Sequence, residues 1–153
     1  MRLADLVRPD MVWANLQSQD KNQVISELAA KISAGLPPLR AEDIASVLLS
    51  RESLGSTGIQ DGIAIPHAKI RGLEKVVVAC GRSRKGINFD APDQKPTHLF
   101  FVLLAPEQSA AMHLKILARL SRLLKDEKFR HKLMTAGEAD DIYRMIIEED
   151  ARQ

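Results

Sequence analysis

The stretch THLFFVLL, Thr97 to Leu104, governs how the rest of the chain is read. From Leu99 onward it is apolar at every position, where a strand with one wet face would alternate, so both faces of this strand must be covered. KVVVAC, Lys75 to Cys80, has the same character and is rich in β-branched residues. Two such strands need helices above and below them.

The flanking sequence supplies those helices. Asp20 is placed to cap one whose Val24, Ile25, Leu28 and Ile32 share a face and which Gly35 stops. GLPPLR, Gly35 to Arg40, reads as a loop, and Ala41 to Glu52 as a second helix with Ile44, Val47, Leu48 and Arg51 at helical spacing. Downstream, Gln108 to Asp126 repeats apolar residues at Ile116, Leu117, Leu120 and Leu124, about five turns of helix. Two shorter helices follow, marked by Phe129, Leu133 and Met134 and by Ile142, Met145 and Ile146. Between the two halves, STGIQDGIAI, Ser56 to Ile65, reads as short extended segments joined by tight turns at its glycines. Ile87-Asn88-Phe89 suggests a further short strand, and Arg82, Arg84 and Lys85 a solvated turn before it. The expectation is an α/β chain: one three-layer α/β/α domain over residues 1–153, a mixed β-sheet flanked by helices.

Composition agrees with an ordinary globular protein. Apolar residues are 45% and charged residues 27% of 153, a length at which folding buries roughly two-thirds of the extended chain's surface. Lys and Arg number 22 against 20 Asp and Glu, interleaved along the chain, so nucleic acid is not an expected partner. The lone Cys80 excludes an internal disulfide and a cysteine metal cluster, and reads as a small buried hydrophobe. The N-terminus lacks a signal peptide's apolar stretch, and no run approaches the ~20 apolar residues that span a bilayer. We expect a cytoplasmic chain without membrane insertion and without a cofactor.

Chemistry is sought at the four histidines. His131, within KDEKFRHK, reads as solvated, and His98 as a residue capping backbone or packing at the start of its strand. His67 differs, because Pro66 fixes its own φ and pushes Ile65 into the extended region, so that a strand should finish there and present the imidazole at its end. Gly58 and Gly62 let the chain fold closely around it, and Ser56 and Thr57 offer donors of the kind that hold phosphate oxygens. His113 shares the inward stripe of its helix with Ile116, Leu117 and Leu120 near the helix N-terminus, either as a core histidine or as an imidazole at the same pocket as His67. Arg51 ends the apolar stripe of the second helix, either as a helix-terminal cation or as a clamp for a phosphoryl oxygen. No phosphate-cradling GxxxxGK[ST], serine triad or zinc-like spacing is present.

RESLGSTGI, GIAIPH, HLFFVLLAPE and HLKILARLSRLLKD, in that order from about Leu49 to Asp126, together resemble the enzyme IIA proteins of the bacterial phosphotransferase system, fructose/mannitol family. RESLGSTGI and LKILARLSRLLKD look most like its nitrogen-regulatory branch. The resemblance implies a phosphocarrier in which His67 accepts a phosphoryl group from a phosphohistidine of HPr or a nitrogen-branch HPr-like protein, while the histidine matching His113 and the arginine matching Arg51 support it. Regulatory targets, or a IIB component in sugar uptake, would be the onward partners. Two departures stand out: Gln60-Asp61 where many relatives carry a small or neutral pair, and Ala68-Lys69 after His67 where the nitrogen branch often has Gly-Arg. Asp61 is therefore expected to point away from the histidine. Two readings from other classes remain open at this point, an unphosphorylated binding module and a histidine-dependent metal hydrolase.

Overall fold

One mixed sheet organises the chain in a computed structural model that describes residues 2–153. Its strands are β1 (Val7–Trp13), β2 (Ile63–Ala64), β3 (His67–Lys69), β4 (Val77–Ile87) and β5 (Thr97–Ala105). β4 and β5 run antiparallel at the centre, β1 lies parallel to β4 on one side, and β2 and β3 both lie parallel to β5 on the other. Helices α1 (Lys21–Gly35) and α2 (Ala41–Glu52) precede the inner strands; α3 (Ala110–Leu123), α4 (Glu127–Thr135) and α5 (Ala139–Ala151) follow them.

The continuous apolar runs have the meaning expected of them. Along β5, Phe100, Val102 and Leu104 pack toward α1 and α2, while Leu99, Phe101 and Leu103 pack toward α3, α4 and α5. β4 divides the same way, Val77 and Ala79 against Val78 and Cys80. The result is three layers, α/β/α, with a core on each face of the sheet. Each Leu, Val or Phe taken fully from water contributes about 1.5–3 kcal/mol, so a strand buried on both sides contributes at every residue. Cys80 belongs to this core, and burial pushes its thiol up to about 12, which leaves it chemically quiet.

Local chemistry sets the helix ends. Asp20 caps α1 by accepting the Gln23 N–H at 2.8 Å, and Asp126 caps α4 through the N–H groups of Lys128 and Phe129. The helix expected over Gln108 to Asp126 is shorter because Ser109 is its N-cap and Asp126 already starts the next helix. Glu138 and Asp141 close a reciprocal capping box on α5. Near the C-terminus the buried Asp150 accepts the Leu3 N–H at 2.7 Å and pairs with Arg119, joining the N-terminal turn to α3 and α5.

Three expectations need correction, and one strand is additional. Arg82, Arg84 and Lys85 form no turn: β4 continues through them, and Arg82 is completely buried. Ile87 is the last residue of β4, while Asn88 and Phe89 are not strand; Phe89 leaves the sheet to stack edge-on against Phe100 at 5.3 Å. β1 carries no alternating pattern and was not anticipated. The strand before His67 stops at Ala64, and His67 opens a new one, because Ile65-Pro66 interrupt pairing with β5 between Ala64–Phe100 and His67–Leu103. Among the described residues no helix is long and apolar enough to cross a membrane, and no three His, Cys, Asp or Glu converge as a metal's ligands would.

Candidate functional site

His67 lies on the open edge of the sheet, since β3 pairs only with β5. At that edge the two helical layers meet. α2 brings Arg51 from one layer, its Nε donating to His67 Nε2 at 3.3 Å, and α3 brings His113 from the other, its ring edge-on to His67 with centroids 5.3 Å apart. The three residues singled out from the sequence thus stand together, though they are separated by as many as 62 positions.

Each nitrogen of His67 has a distinct partner. Nδ1 lies 2.7 Å from the Ile65 carbonyl, an acceptor only, so Nδ1 carries the proton and donates it there. Nε2 keeps its lone pair, which Arg51 Nε meets. Arg51 is held in turn by an Nη1 bond to the Gly55 carbonyl at 3.0 Å.

Burial, foremost, holds the His67 pKa below 6.5, and Arg51 adds to that fall, while the Ile65 carbonyl and Glu52 oppose it. His113 is lowered by burial first, then by His67 and Lys69. Both rings are therefore neutral at pH 7. In a proton NMR titration both should show midpoints below 6.5; a midpoint above it for either would contradict this site. The unfolded chain then binds protons before the folded one as pH falls below 6.5, so these two histidines lower stability on acidification through that window.

His113 Nδ1 is buried with no hydrogen-bond partner, one of three such side-chain atoms among the described residues. An unmet buried nitrogen costs about 1–3 kcal/mol, and an anion's oxygen would satisfy it. His113 stands in the first turn of α3, and Ser109 turns its hydroxyl back to the Pro106 carbonyl at 2.7 Å without capping that turn. The positive end of the helix is thus left available beside His67.

Ser56 and Thr57 do not fit the part expected of their side chains. Ser56 Oγ donates to the Phe89 carbonyl and accepts the Gly58 N–H at 2.9 Å, and Thr57 gives both its N–H, at 3.1 Å, and its hydroxyl to Glu52. Both hydroxyls are spent on holding the loop. Glu52, a buried carboxylate beside Arg51, escaped sequence reasoning because an acid at a helix end looks like a surface residue. Asp61 points outward as anticipated: it is exposed, sits at φ 67°, and faces Arg130 at 3.7 Å. Gly62 follows at φ 78°, so the tight turn there uses the left-handed freedom of glycine. His98 bonds the Ser83 carbonyl at 2.9 Å, and His131 is exposed.

A family model described as "Phosphoenolpyruvate-dependent sugar phosphotransferase system, EIIA 2" matches residues 5–149. The chain belongs to this family. Among EIIA relatives, the nitrogen regulatory protein of Bradyrhizobium diazoefficiens is 41% identical over 146 residues, 95% of each chain. The fructose-specific EIIABC component of Bacillus subtilis is 35% identical over 150 residues, covering 98% of this chain and 24% of that longer protein. The crystal structure of nitrogen regulatory protein IIA-Ntr from Neisseria meningitidis superposes with a TM-score of 0.88 at 30% identity, over 94% of this chain and 98% of that one. An EIIA fold is therefore what places Arg51, His67 and His113 at one sheet edge.

Proposed function

We propose that this chain is a phosphocarrier of the EIIA family, that His67 Nε2 takes the phosphoryl group, and that its work is regulatory. The observation that carries the reading is the pair of bonds on His67, which hold the proton on Nδ1 and leave the Nε2 lone pair toward a guanidinium. In the transfer, the bond between phosphorus and the donor's imidazole nitrogen breaks as the bond to Nε2 forms. The proton stays on Nδ1, still donated to the Ile65 carbonyl, and the positive charge that grows on the ring is offset by the phosphoryl oxygens. Arg51 exchanges its bond to Nε2 for those oxygens, and His113 gains a partner among them. The donor fitting this chemistry is a phosphohistidine of HPr or an HPr-like protein. The exposed Leu49, Leu54, Ile59, Met112 and Leu114 lie on the segments around the site and provide an apolar rim for a carrier to dock against.

The nitrogen regulatory relative, matched end to end, favours regulation. A second reading, sugar uptake with the phosphoryl group passed to a IIB component, has support from the fructose-specific relative. Incubation with phosphoenolpyruvate, enzyme I and an HPr-type carrier tests the first step: an acid-labile label should appear, and its absence would reject the proposal. Adding a IIB component separates the readings, since onward loss of label favours uptake. Arg51→Ala should slow acceptance about 100- to 1,000-fold, the loss typical when one donor to a developing anion is removed. Rapid-quench rates at saturating carrier measure this.

A further inference from the structure

Glu52 is the last residue of α2, and its side chain is only 4% exposed. A carboxylate withdrawn from water at a cost of several kcal/mol persists only where its oxygens are met. Here they are: Lys21 Nζ lies 3.0 Å away, and Thr57 supplies its N–H and its hydroxyl. Lys21 is itself fixed over the Phe89 ring, 4.7 Å from its centre, and faces Asp90 at 3.4 Å.

The consequence lies in what Thr57 and the 53–56 loop do next. Thr57 offers its carbonyl to the Ile65 N–H at 3.0 Å, and the Ile65 carbonyl accepts the hydrogen bond from His67 Nδ1–H. On the other side, the loop that Glu52 closes supplies the Gly55 carbonyl that holds Arg51, and Arg51 holds Nε2. Through Thr57, one carboxylate thus anchors both the run of hydrogen bonds that ends on Nδ1 and the loop whose Gly55 carbonyl holds the guanidinium at Nε2.

We infer that Glu52 is a positioning residue for His67, fixing both its tautomer and the guanidinium at its free nitrogen. The inference rests on the phosphocarrier reading for its kinetic consequence only. Glu52→Gln keeps the shape but cannot accept the Thr57 hydroxyl on its amide nitrogen or balance Lys21. Acceptance from an HPr-type carrier should fall roughly 10- to 100-fold at saturating carrier, with the half-saturating concentration little changed, as expected of misplacement by a fraction of an ångström to an ångström. The nitrogen-15 spectrum of the His67 ring should move from one tautomer toward a mixture. Unchanged rate and unchanged ring shifts would overturn the inference. If the variant does not fold, Thr57→Val, which leaves the buried charge and the backbone bond in place, should give the same change of ring shifts in smaller measure; wild-type shifts there would equally overturn it. If the wild-type protein accepted no label, the phosphocarrier reading would fall while the ring spectrum still decided the role of Glu52.

Discussion

His67→Ala is expected to give a folded protein that takes up no phosphoryl group at all. The loss is complete because the step is a covalent one and neither neighbour can replace the nucleophile: the guanidinium of Arg51 has only donors, and His113 is only 8% exposed. The fold should survive. His67 is half-buried at the start of a three-residue edge strand, and its side chain bonds Ile65 and Arg51 without filling the core, so the stability change should stay within about 1 kcal/mol. Intact-mass measurement after incubation with phosphorylated carrier reads the first part and thermal unfolding the second. A phosphorylated alanine variant would show that the acceptor is elsewhere.

Arg82→Met should cost several kcal/mol of folding free energy, since each buried carbonyl left without its donor costs about 1–3 kcal/mol. Arg82 has no acid partner among the described residues and no exposure; its charge is met by carbonyls alone. Nε donates to Ala14 at 3.0 Å, and Nη1 to Leu133 at 2.9 Å, to Met134 at 3.4 Å and to Ala136. The last three belong to the C-terminal end of α4, where unpaired carbonyls make the negative pole of the helix, so one guanidinium both caps the helix and meets its dipole. Methionine keeps the length and leaves no large void. The loss then reports the carbonyls left without donors, at about 1–3 kcal/mol for each buried group. Urea denaturation would show a lower midpoint at an unchanged slope; a midpoint matching wild type would mean that water or a neighbour replaces the guanidinium at no cost.

His67 and Arg82 mark how far the sequence could be read. The paired strands, the helices and the stop at Gly35 were legible because they depend on local periodicity and capping. Arg51, His67 and His113 were legible too, each from the face of its own element, although their meeting was an expectation of family resemblance until the sheet brought them together. What stayed hidden depends on distant partners. Arg82 looked like a solvated cation because the carbonyls that receive it lie 51 to 68 residues away, and Glu52 looked like a helix-end acid because Lys21 and Thr57 come from separate segments. β1 was missed for a different reason: VRPDMVW has a proline and two charges in its middle, and its register with β4 slips between Val7 and Val12.

That awkward middle of β1 has its own effect on how the protein behaves in a crowded solution. β1 is the outermost strand on its side, and Pro9 offers no N–H while Arg8 and Asp10 lock into an ion pair beside it at 2.6 Å. A strand from another molecule laid along this border would find a missing donor and two charges to strip of water, so the sheet resists growing into an aggregate there.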